Sequence, residues 1–277
     1  RGDGTTCNSP RLSHIRQLGR RYGGGAGAYI LQLGTDQTRH ALGIAEYHGP
    51  RSQMMRCIDH PTMLKDGAGW GAMAGVSAAK LAQAGFTGAP ALSVAEAPEF
   101  WQDLGERWYM LEQYYKPYPV CRWAQAPIEA TLDLQRTHGF THHDVIGLEI
   151  ETFHEAVRLA TSAPDTTEQA QYSTSFPVAI ALVHGDVTPA SIADDALGDP
   201  DVMRLSQLLV MREQDHANAH FPTRRYARSK ITLRDCRVLE SDWMEPKWDH
   251  RNPATAEALS DKFRALARPV LGPDRAT

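Results

Sequence analysis

The sequence predicts an α+β fold in two domains, and three observations carry that reading. Apolar residues alternate at period two in two separate places: Ile146, Leu148 and Ile150 against Gly147, Glu149 and Glu151, and the run Lys230 to Arg234. Helical patterns fill Arg122–His138, Thr174–His184 and Asp199–Arg212. These elements do not repeat as regular βαβ units, which argues against a doubly wound parallel sheet.

Taken in order, residues 1–29 are Gly-rich and poorly patterned. Gly71 to Ala84 form a helix of small side chains that lets a neighbour approach closely, with Gly85 as its stop. The aromatic run Arg107 to Tyr115 reads as a strand leading into Lys116-Pro117-Tyr118-Pro119. Two prolines hold that backbone extended, so Lys116 and Cys121 stand on a stiff strand-to-helix corner suited to an anion. Arg234 to Arg237 resembles a hairpin turn, 241–253 is a crossing segment, and Ala254–Leu271 is a final amphipathic helix.

Composition narrows the function. The 277 residues are 42% hydrophobic and 22% charged, ordinary for a globular protein. A net charge of −4 gives no electrostatic pull toward nucleic acid. No apolar run approaches 18 residues and no hydrophobic signal region opens the sequence, so no membrane partner is expected and cytoplasm is the expected location. Four cysteines without a CxxC pair read as reduced thiols. No Gly-rich dinucleotide fingerprint or metal-ligand cluster is found, and no cofactor is expected. His142-His143 lacks a ligand partner at metal spacing, and Glu149 with Glu151 reads as a solvated sheet face. Ser173-Thr174-Ser175 reads as a helix cap.

The richest polar segment is Tyr47 to Gly67. Tyr47, His48, Arg51, Arg56, His60 and Lys65 lead into the Gly-rich entry Gly67 to Gly71, where open N–H groups and the helix dipole suit a carboxylate. The segment is also readable as an exposed polar loop. His60 has two readings, a proton carrier or a structural histidine beside Pro61. Cys121 likewise is either a thiol activated at a helix start beside Arg122 or a small packed side chain. Arg122, with its planar fork, is the better candidate for gripping a carboxylate.

Four stretches match a known family in order. Lys116 to Arg122 (KPYPVCR) is similar to its K-P-Y-P-C-C-R signature. Asp36 to Ala45, followed by Gly71 to Gly88, is a second match, and Ala170 to Gly185 resembles its A-x-F-S-x-x-Y-x-x-A-x-A-L-x-x-G. Asn252 to Arg264 resembles its closing P-x-S-x-x-x-L-x-x-K-F-R helix. On these residues the sequence is identified as a member of the MmgE/PrpD family, which includes 2-methylcitrate dehydratases, cis-aconitate decarboxylases and an iminodisuccinate epimerase.

The resemblance implies a helical domain built from both chain ends (1–88 and 248–277), an inserted α+β lid (89–247), and an active site between them. It implies a homodimer through the helical domain and a cofactor-independent lyase of hydratase/dehydratase type on a small di- or tricarboxylate. Decarboxylation, epimerisation, or a truncated paralogue without turnover are its alternatives. Lys65 answers to the lysine of a T-K-x-x-H-x-G loop at a spacing one residue short, without the histidine that follows. Lys65, Lys116, His60 and Cys121 are thus the expected catalytic residues, with Arg56, Arg122, Tyr47 and His48 on the substrate. The family's helix ahead of Asp36 is represented only by Gly23 to Leu33, and nothing around His14 matches the motif of its catalytic histidine. Phe176 stands where a tyrosine is common, with Tyr172 as the substitute.

Overall fold

The computed structural model describes residues 23–50, 53–65, 67–159 and 161–276. They gather into two compact units, one running up to Trp108 and the other from Tyr109. Arg51 and His14 lie outside the described residues.

The first unit is helical. Residues 23–30 (α1), Thr35–His48 (α2) and Ala68–Gln83 (α3) carry it. Helix at 23–30 corrects the reading of 1–29 as unpatterned for the described part, and agrees with a small-residue helix remnant there. Its glycines give no hydrophobic period, because they act by close approach: a Cβ on Gly75 of α3 would lie 2.4 Å from the Gly24 nitrogen. Helices α2 and α3 bury a core of small side chains, Ala41, Ile44 and Ala45 with Ala78, Ala79 and Ala82. Helix α3 stops as the sequence predicts. Gly85 takes φ +92°, and the Phe86 N–H donates to the Leu81 carbonyl at 3.0 Å.

The run 107–115 is not a strand. Tyr109–Glu112 form a 3-10 turn with Met110 and Leu111 exposed. Aromatic residues favour strands only when a neighbouring strand supplies cross-strand contacts. Here the Tyr115 N–H finds a single carbonyl partner, Trp248, at 3.0 Å.

The second unit is α+β. Helix α4 (Arg122–His138) is buried along most of its first three turns and ends at Gly139 with φ +64°. It packs on α5 (Ser175–His184) and on a mixed four-stranded sheet. The sheet has the order β2-β1-β3-β4, from β1 (Val145–Thr152), β2 (Leu209–Glu213), β3 (Ala227–Leu233) and β4 (Val238–Glu240). Strand β2 runs parallel to β1, and the other pairs are antiparallel. The core-facing pairs are Leu148 with Ile231 and Val145 with Leu233.

A register shift between Val145 and Gly147 inserts an extra residue, so Val145 turns inward and Ile146 outward. That corrects the strict alternation read from sequence. On the opposite face Glu149 pairs with Arg212. Glu151, expected to be solvated, is buried and accepts from Arg228 Nε (2.6 Å) and Gln214 Nε2 (2.8 Å).

The helix expected over 199–212 is two elements. Helix α6 (Pro200–Leu208) starts on the Asp199 carboxylate, which accepts the N–H groups of Asp201 and Val202. Its chain then straightens into β2, because Leu209 and Val210 find β1 as a partner. Ser173, rather than Thr174, caps α5: its Oγ accepts the Phe176 N–H at 3.0 Å. The last helix, α7 (Ala256–Leu271), is capped by Thr255 Oγ1. No helix among the described residues is long and apolar enough to cross a membrane.

Candidate functional site

In the first unit the expected residues lie on exposed surface. Tyr47 and His48 end α2 with their rings edge to face at 5.1 Å. Arg56 opens the short helix Arg56–Asp59, and His60 closes it, its backbone N–H donating to the Arg56 carbonyl. Lys65 follows, its ammonium 3.5 Å from the Thr62 carbonyl.

Lys65 lines an open pocket of about 430 Å³ with Met63, Leu64, Ala68, Gly69 and Trp70. This is the entry to α3, whose first residue follows Gly67 with no side-chain cap. The first-turn N–H groups of a helix have no intrahelical partner, so a cation stands here beside the positive end of a helix.

In the second unit the Lys116–Cys121 corner is held from three directions. Gln125, one turn into α4 and fully buried, accepts the Tyr118 N–H at 3.3 Å. Its Nε2 faces the carbonyls of Tyr118 (3.0 Å), Val120 (3.2 Å) and Cys121 (3.4 Å). The Tyr118 hydroxyl donates to buried Glu129 at 2.8 Å, and Lys247 pairs with the same carboxylate. Burial, then the Glu129 charge, pushes the Tyr118 phenol far above its ordinary range. From α7, Lys262 Nζ donates to the carbonyls of Lys116 (2.5 Å) and Pro117 (3.0 Å).

Arg122 is built into this frame. Its Nη1 donates to the carbonyls of Tyr115 (3.3 Å) and Lys247 (3.0 Å), and its Nη2 to Asp249 at 3.2 Å. Its guanidinium lies 4.0 Å from the centre of the Tyr114 ring. Burial lowers its pKa, opposed by Tyr114 and Asp249. Cys121 is half-buried at the helix start, its N–H on the Gln171 carbonyl at 2.8 Å. Phe176 is fully buried in the core.

Lys116 keeps its side chain exposed, and Lys262 stands beside it. Desolvation holds the Lys262 ammonium below the ordinary lysine range; Asp186 opposes that shift and Lys116 adds to it. Sequence reasoning placed Lys262 in a matched helix but gave it no part in the site. A lysine one turn into a capped amphipathic helix gives no such signal until the fold lays that helix on the corner.

The second unit is thus an α+β domain whose helix-entry corner presents two lysines to an anion. Residues 118–277, more than half of the chain, match the MmgE/PrpD C-terminal domain, and the chain belongs to the MmgE/PrpD family. It is 25% identical over 236 residues to a protein of Yarrowia lipolytica described as 2-methylcitrate dehydratase, mitochondrial. The alignment covers 76% of this chain and 45% of that protein, so the chain spans less than half of its relative's length.

Proposed function

We propose that the protein acts in a cofactor-independent hydro-lyase of 2-methylcitrate dehydratase type, on a small di- or tricarboxylate. The observation that carries this reading is the pocket at the start of α3, where Lys65 adds a positive charge to uncapped helix N–H groups. Its volume falls within the range of small-molecule sites. The reaction removes a weakly acidic proton next to a carboxylate, so it needs a base and fixed positive charge where the electron pair collects. Lys65 and Lys116 supply charge or proton transfer in this scheme, His60 and Cys121 are the further proton carriers, and Arg56, Tyr47 and His48 meet the substrate's polar groups. Arg122 meets a carboxylate only by releasing Asp249. Dehydration is preferred to decarboxylation or epimerisation because the matched relative is described as a dehydratase.

The test is incubation with 2-methylcitrate and a panel of hydroxy-acids, following the enoate by its ultraviolet absorbance. Turnover that disappears in Lys65→Ala supports the proposal, and no product from any substrate refutes it. A second reading, a family member that folds without turnover, is favoured by the commitment of Arg122 to Asp249 and by Phe176, which offers no hydroxyl. Calorimetry showing carboxylate binding with zero turnover selects it. We also propose a homodimer, supported by exposed apolar side chains such as Tyr29 and Ile30 in the first unit. A monomer by light scattering refutes it.

A further inference from the structure

Away from the pocket and the corner, the described side chains bring His142, His143 and Asp201 together, each offering one ligand atom within 4.8 Å of the others. The sequence alone leaves the histidine pair without a carboxylate; the fold supplies it from the first turn of α6. We propose that these three residues form a site for a divalent transition metal with the preferences of zinc. Two imidazole nitrogens and one carboxylate oxygen suit such borderline cations and leave further coordination positions to water.

The geometry is close to that of a bound site. In a tetrahedral centre with bonds of about 2.0–2.1 Å, ligand atoms stand about 3.4 Å apart. His142 Nε2 and Asp201 Oδ2 are 3.8 Å apart, a gap that small side-chain rotations close. The two imidazole rings lie side by side, 3.9 Å between centres and tilted by 46°.

The backbone under the ligands is fixed in advance. Thr141 and Asp144 form a capping box around the 3-10 turn His142–Asp144. Arg204 Nη2 donates to the His142 carbonyl and Arg234 Nε to the His143 carbonyl, each at 2.8 Å. Asp201 sits on a helix whose own cap is Asp199. The nearby charges are therefore already in use: both guanidiniums on carbonyls, and Asp144 on Thr141. Ligands carried on rigid elements lose little freedom on binding. A bound ion would clip the turn that starts β1 to the helix that leads into β2, two neighbouring strands of the sheet.

Isothermal titration with Zn²⁺, repeated with Co²⁺ for its visible absorption, tests the proposal on the whole chain. One ion is expected per chain, with affinity reduced at least about tenfold in each of His142→Ala, His143→Ala and Asp201→Asn. Zinc at about a hundredfold excess over Kd is expected to raise Tm by roughly 5 °C in the wild type, reversibly with chelator, and not in Asp201→Asn. The control is His216→Ala, which removes another exposed histidine pair, His216 with His220. Binding lost in that variant but kept in Asp201→Asn overturns the proposal, as does the absence of zinc binding in the wild type.

Discussion

Replacing Gln125 tests whether one buried amide holds the Lys116–Cys121 corner. The side chain is wholly removed from water, accepts one backbone N–H, and points its two amide hydrogens at three carbonyls between 3.0 and 3.4 Å away. Two hydrogens cannot serve three acceptors fully, so the set is worth about three hydrogen bonds, near 1 kcal/mol each. Gln125→Ala also strands the Tyr118 N–H and leaves a small cavity, which brings the expected loss to about 3–5 kcal/mol. Gln125→Met fills the space without the hydrogen bonds, and its expected cost of about 3 kcal/mol isolates the polar part. Urea unfolding followed by circular dichroism gives the loss, and hydrogen exchange of the Tyr118 amide shows whether the corner itself opens. A cost below about 1 kcal/mol for both variants, with unchanged exchange at Tyr118, refutes the reasoning.

Further predictions follow from the same contacts. Tyr118→Phe removes the hydroxyl bonded to buried Glu129 and is expected to cost about 1–3 kcal/mol by urea unfolding. Gly75→Ala drives a Cβ into the α1 backbone and is expected to cost about 1–3 kcal/mol. Gly69→Ala, with open space around its Cβ, should change stability by less than about 1 kcal/mol in a thermal melt. Asp144 is held below the usual carboxylate range by its two hydrogen bonds from Thr141. A depressed folded pKa stabilises above the unfolded value and is lost as pH falls through the folded one. Wild type should therefore lose more stability than Asp144→Asn between about pH 5 and about pH 3, read from urea midpoints.

Where one residue's neighbours decide its structure, the sequence was enough. The apolar spacing of α4 and the glycine after it mark both of its ends, and Gly85 and Gly185 stop their helices by the positive φ that glycine tolerates. Where a distant partner decides, it was not. Leu208 to Met211 suits a helix end or a strand equally, and only β1 chooses between them. Ile146 points outward because a bulge shifts the phase, and no residue in that stretch announces it. Of the site, the Lys116 corner and the glycine entry beside Lys65 were legible as motifs. Gln125 and Glu129 were not singled out, although polar residues one turn apart on a buried helix face are a readable signal that something polar must meet them. Asp201 beside His142 is invisible without the fold.

The corner also separates what a motif builds from what it leaves to act. Its prolines set the backbone, Tyr118 is spent on Glu129, and Arg122 is spent on Asp249 and two carbonyls. What remains toward solvent is the Lys116 side chain, with Lys262 giving two of its three donors to the corner's own carbonyls. Two ammoniums held near each other repel, and the lowered pKa of Lys262 records part of that cost. A carboxylate placed between them removes the repulsion and takes the unused donor. Its binding should therefore raise the Lys262 pKa, a shift that reductive ¹³C-methylation and NMR titration can follow. An unchanged Lys262 titration in saturating carboxylate would leave the corner as a structural joint and nothing more.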